Sequence, residues 1–308
     1  MYSEKIDILS AKQFTREQVI DLINEAEELR RIFESGKTLK YAEGKLMVTA
    51  FFEPSTRTKL SFQIAMVKLG GCVIDFDVES SSLLKGETDL DTIRIIDSYS
   101  PDIIVIRQKK PFFPEQVSRI VRASVINAGD GWNEHPTQAL LDVYTIWRIF
   151  GKIDGLTIGI MGDLKYGRTP SSLSYLLAKF RDIKIYYIAP KQLQIREEVI
   201  KYIDENNVEY ELIEDIKEVI NKLDVLYITR LQVERIEDKE LVDKLKGSYR
   251  IDRKLLENLS HIPVIMHPLP RTWELDQSVD ELPQAKYFEQ ARNGLYIRAA
   301  LIRKILGV

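Results

Sequence analysis

The chain has 308 residues, 44% of them hydrophobic, with 44 Lys plus Arg against 47 Asp plus Glu, 3 His and 1 Cys. That length buries a substantial core without disulfide or metal staples and favours two domains, and a formal charge of −3 gives no reason to expect a nucleic-acid partner. The lone Cys72 cannot form an internal disulfide, no run of about 18 uncharged apolar residues could span a membrane, and the first residues lack the apolar core of a secretory signal, so a cytoplasmic protein is expected.

The first predicted helix opens at Thr15, with Gln18 in the capping-box position. It carries Val19, Leu22, Ile23, Ala26, Leu29, Ile32 and Phe33 on one face and stops near Gly36. An apolar strand over 46–52 follows, then the turn Glu53-Pro54-Ser55-Thr56-Arg57-Thr58 and a helix to Leu69. Strands near 73–76, 103–106 and 125–127 alternate with helices near 89–99 and 114–121. A long helix over 136–150 leads to a second series, with strands at 156–161, 183–188, 209–213, 225–228 and 264–266. Its helices are expected near 170–180, 196–206, 215–221 and 238–246. The alternation predicts an α/β chain of two consecutive domains, each a parallel sheet flanked by helices. The segment 292–306 has helical periodicity with no strand after it.

Four places can carry chemistry. Ser55, Thr56, Arg57 and Thr58 open a helix directly after a strand, where unpaired N–H groups and the helix dipole favour an anion. Lys85 beside Gly86 lies in a polar loop; such a loop can bring a mobile cation to a ligand, although spacing alone favours a solvated linker. His135 precedes Pro136 at a helix start, where the dipole favours a neutral imidazole able to donate to a carbonyl. Arg168, Arg230 and Arg271 each follow a predicted strand and so gather at the carboxyl ends of the second sheet, suited to bidentate carboxylate recognition. Gly162 to Thr169 also reads G-x-x-x-x-G-R-T, one residue from a phosphate-binding P-loop, but Arg168 stands where that loop needs Lys. The histidines are scattered and show no metal-ligand spacing.

Taken in order, Phe51-Phe-Glu-Pro-Ser-Thr-Arg-Thr58, Lys85-Gly-Glu-Thr88, Arg107, Gly129-Asp-Gly131, His135-Pro-Thr-Gln-Ala-Leu-Leu-Asp142, Gly167-Arg168, Arg230-Leu-Gln232 and His267-Pro-Leu-Pro-Arg271 resemble the transcarbamoylase family over nearly the whole chain. Ornithine-specific members look different, carrying His-Cys-Leu-Pro where this chain has His267-Pro-Leu-Pro. The resemblance implies a carbamoyl-phosphate domain of residues 1–135 with 291–308, the last helix returning to it, and an aspartate domain over 136–290. It implies attack of the α-amino group of L-aspartate on carbamoyl phosphate, with no metal or cofactor.

By the same resemblance Ser55, Thr56, Arg57 and Thr58 hold the phosphate, with Lys85 and Arg107 adding charge. Thr58, Arg107 and His135 polarise the carbonyl oxygen, and Gln138 with the backbone at Pro268 and Leu269 orients the carbamoyl amide. Arg168, Arg230 and Gln232 bind aspartate together with Lys85. A homotrimer with shared active sites is implied, Lys85 reaching a neighbour's site, and a separate regulatory chain is a further possible partner. Another amine acceptor, or nucleotide binding at Gly162–Thr169, are the alternative readings. Glu134 stands where many relatives carry Gln, Trp132 is bulky for its loop, and Thr272-Trp273 replaces acidic residues.

Overall fold

The computed structural model describes residues 5–37, 39–78, 86–230 and 249–308. The chain divides into two compact units, residues 1–141 with 292–308 and residues 142–291. The helix expected near 238–246 lies outside the described residues.

In the first unit β1 (Leu46–Phe51), β2 (Cys72–Phe76), β3 (Ile103–Gln108) and β4 (Ser124–Asp130) form one parallel sheet in the order β2-β1-β3-β4. The helices between them are α2 (Thr56–Lys68), α3 (Asp89–Ser98) and α4 (Phe113–Ser118), and α1 (Arg16–Glu34) precedes the sheet. Thr15 accepts from Gln18 N–H and Gln18 reaches back to Thr15 N–H, so the expected capping box starts α1. On one face Val48, Ala50, Ile104, Ile106 and Val125 of the strands pack with Ile93, Ile96, Phe113 and Val117 of the helices. Each buried Val, Ile or Phe among them contributes about 2 kcal/mol before chain entropy is subtracted. Helix α4 starts one residue before the expected 114–121 stretch, directly after the left-handed Phe112 with φ 61, and ends three residues short of it, Ile120 N–H turning back to Val117 O at 2.9 Å.

The second unit holds β5 (Thr157–Met161), β6 (Lys184–Ile188), β7 (Glu209–Ile213), β8 (Val225–Ile228) and β9 (Val264–Met266), all parallel in the order β7-β6-β5-β8-β9. Helices α6 (Arg168–Leu177), α7 (Glu197–Glu205) and α8 (Arg253–Glu257) lie between strands. The helix expected over 215–221 is instead two 3-10 turns, Ile216–Glu218 and Ile220–Lys222. Asp215 accepts from Lys217 N–H at 3.0 Å to close the first turn, and Val219, at φ −130 and ψ −14, leaves helical geometry between the two turns.

Two long helices carry the chain across the division: α5 (Pro136–Phe150) and α9 (Tyr287–Leu306). Helix α9 begins five residues before the apolar pattern that announced it at Arg292. Its later part belongs to the first unit, where Arg298 donates to Ser61 Oγ at 2.7 Å, Tyr296 meets Phe33, and Arg303 lies 3.5 Å from Glu25.

Candidate active site

In the first unit the carboxyl ends of three neighbouring parallel strands bring the expected residues together. Phe51 at the end of β1 is in register with Arg107 on β3, and Phe52 N–H donates to Arg107 O at 2.9 Å. Ser55 is the N-cap of α2, yet its side chain makes no capping bond, unlike the side chains of Thr15, Thr88 and Asp252 at their helices. The hydroxyl is therefore not consumed by the helix start, and Thr56 and Arg57 are exposed beside it. Although Arg57 is exposed overall, partial desolvation of its guanidinium lowers its pKa from the usual arginine value. Thr58, one turn in, is buried and its Oγ1 lies 3.5 Å from His135 Nε2.

Arg107 is aimed by two contacts: Nη1 donates to Ala128 O and Nη2 to Glu53 Oε1, both at 3.3 Å. His135 and Gln138 are buried, and the His135 carbonyl accepts from Gln138 and Ala139 N–H, so the histidine is fixed where α5 begins. The loop before it is braced by Asp130, whose carboxylate accepts from Asn127 Nδ2, Asn133 Nδ2, Phe112 N–H and Glu134 N–H. Burial raises the Asp130 pKa and these donors oppose the rise. Gly131 is required here: φ is 51, and a Cβ would lie 2.4 Å from Lys109 O.

The second unit presents its own set at the carboxyl ends of β5, β8 and β9. Thr229, after β8, donates through N–H and Oγ1 to Met161 O at the end of β5, at 2.7 and 3.1 Å. Gly162 follows so closely that a Cβ would sit 2.3 Å from Thr229 O. Arg230 is the next residue after Thr229 and Arg168 the first of α6, so both flank this tight junction, each half-buried. After β9, Leu269 N–H donates to His267 Nδ1 at 2.7 Å, and Leu269 is left-handed with φ 55.

Two expectations change. Arg271 does not join Arg168 and Arg230 as a carboxylate receptor: it is bound by both oxygens of Asp280 and by Tyr287 Oη. The P-loop reading fails on the backbone. Leu164 and Lys165 N–H donate to Leu193 O and Tyr166 N–H to Asp163 Oδ1, so those groups are turned away from any phosphate. Lys85 and Gln232 lie outside the described residues. Sequence reasoning missed three supports: Glu53, which binds Arg107, Asp130, which braces the loop before His135, and Glu274, whose Oε1 lies 3.0 Å from His267 Nε2; only the Asn127-to-Asp130 spacing was a local signal. Among the described residues no group of three His, Cys, Asp or Glu side chains is arranged to hold a metal ion, and no helix is long and apolar enough to cross a membrane.

Two parallel α/β units, one opening a helix with hydroxyls and arginine beside a buried histidine, offer a site suited to a small anion. Residues 7–148 match the aspartate/ornithine carbamoyltransferase carbamoyl-P binding domain and residues 154–305 the Asp/Orn binding domain, and the chain belongs to that family. It is 44% identical over 300 residues to the aspartate carbamoyltransferase catalytic subunit of Methanocaldococcus jannaschii, covering 97% of each chain. A crystal structure of that archaeal catalytic subunit superimposes with TM-score 0.90 at 43% identity, covering 98% of both chains. Aspartate transcarbamoylase from Trypanosoma cruzi in complex with carbamoyl phosphate and aspartate superimposes with TM-score 0.92 at 39% identity, covering 97% of this chain and 95% of that one.

Proposed function

We propose that this chain transfers the carbamoyl group of carbamoyl phosphate to the α-amino group of L-aspartate, giving N-carbamoyl-L-aspartate and phosphate, the committed step toward pyrimidines. The observation that carries this reading is the Thr58–His135 pair at the carboxyl end of the first sheet, with the uncapped Ser55 and Arg57 beside it. The amine attacks the carbonyl carbon, the bond to the phosphate oxygen breaks, and the departing phosphate takes up the amine proton. The protein therefore needs to position reactants and stabilise charge, with no covalent intermediate on a side chain.

In this scheme the first unit takes carbamoyl phosphate. Ser55, Thr56, Arg57 and Thr58 surround the phosphate with help from Arg107, and Thr58, Arg107 and His135 donate to the carbonyl oxygen as it becomes an oxyanion. Gln138 and the backbone of Pro268 and Leu269 receive the carbamoyl amide. The second unit takes aspartate through Arg168, Arg230 and Gln232, with Lys85 supplied by a neighbouring subunit.

A homotrimer supplies that neighbour. Leu60, Ile64 and Val67 lie along one exposed face of α2, and Ile74 of edge strand β2 is also exposed, an apolar surface that a second copy can cover. A separate regulatory chain and a cytoplasmic location complete the reading; one plant relative, 45% identical, is named as chloroplastic. A colorimetric assay for carbamoylated product tests the reaction: turnover with aspartate and not with ornithine is expected, and the reverse overturns the assignment. Size measurement of the purified chain tests the trimer, and a monomer at micromolar concentration would refute it.

A further inference from the structure

His267 makes three hydrogen bonds that together fix its tautomer and its place. Leu269 N–H donates to Nδ1 at 2.7 Å, so Nδ1 carries no proton. The proton is on Nε2 and is donated to Glu274 Oε1 at 3.0 Å, both side chains being about 1% exposed. The His267 backbone N–H donates to Gln290 Oε1 at 2.8 Å, and Gln290 Nε2 donates to Asp142 Oδ1 at 2.7 Å. Glu274 is held in turn by Thr272 N–H at 2.9 Å and by Thr272 Oγ1. Burial opposes charge on Glu274, but the bonds from His267 and Thr272 prevail and set its pKa at about 2, so it stays a carboxylate.

The bond to Nδ1 closes a turn in which the side chain of one residue accepts from the N–H two residues on, the geometry that Asn and Asp side chains use in Asx turns. Here it holds Leu269 in a left-handed conformation that a branched apolar residue disfavours. A protonated imidazole would aim a second N–H at Leu269 N–H, so the neutral form and the turn require each other.

We propose that His267 is a positioning residue for the reaction: by accepting from Leu269 N–H, with Glu274 fixing its tautomer, it aims the Pro268 and Leu269 carbonyls that receive the amide hydrogens of the carbamoyl group. This rests on the reading of that loop as the amide receptor and goes one step further, to what shapes it. Loop and imidazole act as a selector for an acyl phosphate that bears an NH2 group over one that bears a methyl, because a carbonyl aimed at a methyl gains no hydrogen bond.

Acetyl phosphate, which replaces that NH2 by CH3, is the probe. Inhibition of wild-type turnover by acetyl phosphate gives its affinity for comparison with carbamoyl phosphate, and a preference of about tenfold or more for the carbamoyl compound is expected. If the wild-type protein shows no preference, the loop is not the amide receptor and the underlying reading fails. With the preference present, His267→Gln should reduce it about tenfold, because the Gln amide reaches Glu274 but not Leu269 N–H. His267→Asn should retain most of it, since the Asn oxygen can take the place of Nδ1. Simple filling of space predicts the opposite order, Gln being nearer to His in volume. Preference kept in His267→Gln, or lost equally in both variants, would overturn the proposal. Nitrogen NMR of the folded wild-type protein, whose 3 histidines make assignment direct, adds a readout independent of any variant. A neutral His267 ring with its proton on Nε2 at pH 7 is expected, and a ring protonated on Nδ1 refutes the arrangement.

Discussion

Ser10 and Glu134 are joined across 124 residues: Ser10 Oγ donates to Glu134 Oε1, and the next N–H, of Ala11, donates to Oε2 at 2.8 Å. The carboxylate that adjoins His135 in the chain thus anchors the first 3-10 turn, Ala11–Gln13, to the loop that leads into α5. Glu134→Gln keeps one acceptor but loses the charge on both bonds. A stability loss of about 1 kcal/mol is expected, with turnover within about twofold of wild type. Thermal unfolding and steady-state kinetics on the same preparation check both halves, and a large fall in kcat with unchanged stability would show that the carboxylate acts on the chemistry.

A second acidic group near this loop gives a pH signature. Burial, with Asp130 and Glu134 adding like charge, raises the Glu115 pKa from 4.5 to about 7. A carboxyl whose folded pKa is raised holds its proton more tightly in the folded state. Its contribution is therefore full below the unfolded value near 4.5 and disappears as pH rises through about 7. Glu115→Gln should then stabilise the protein at pH 8 by about 1 kcal/mol, after discounting for partial exposure, and make no difference at pH 4. Denaturant unfolding at the two pH values decides it; equal shifts at both would remove the electrostatic explanation.

Arg57→Ala removes the guanidinium at the start of α2, the one arginine in that helix turn. The expected result is loss of about two to three orders of magnitude in kcat/KM for carbamoyl phosphate, because a dianion loses a bidentate charged partner. Near-normal kinetics in a folded variant would move the phosphate elsewhere.

His135→Ala should act mainly on turnover, about a hundredfold in kcat, with a modest change in carbamoyl phosphate affinity, since an oxyanion donor gains most in the transition state. Equilibrium binding measured beside single-turnover rates separates the two effects, and a change confined to affinity would contradict the role.

The strands were legible in the sequence because parallel strands buried on both faces are short apolar runs bounded by polar turns; β5 and β8 read in this way. Residues 215–221 misled because Ile216, Val219 and Ile220 follow helical spacing while the backbone closes two tight turns. In the site, Thr58 and His135 were recognisable from their places at strand-to-helix junctions. What decides between equivalent arginines was not: Asp280, nine residues beyond Arg271, turns back to bind that guanidinium with both of its oxygens. The role of His267 was hidden for a similar reason, since Glu274 and Gln290, which bond it, and Asp142, which bonds Gln290, come from three separate segments.

The division of the chain also orders its synthesis. The second unit, residues 142–291, is an uninterrupted stretch, and every strand of both sheets has been synthesised before Arg292 is added. The first unit, although begun first, lacks the later part of α9 until translation reaches residues 292–308. The nascent first unit must therefore wait with the surfaces of α1 and α2 uncovered while its neighbour folds, so a stop codon directly after Ala291 would leave the older half of the protein incomplete while removing no residue of the younger.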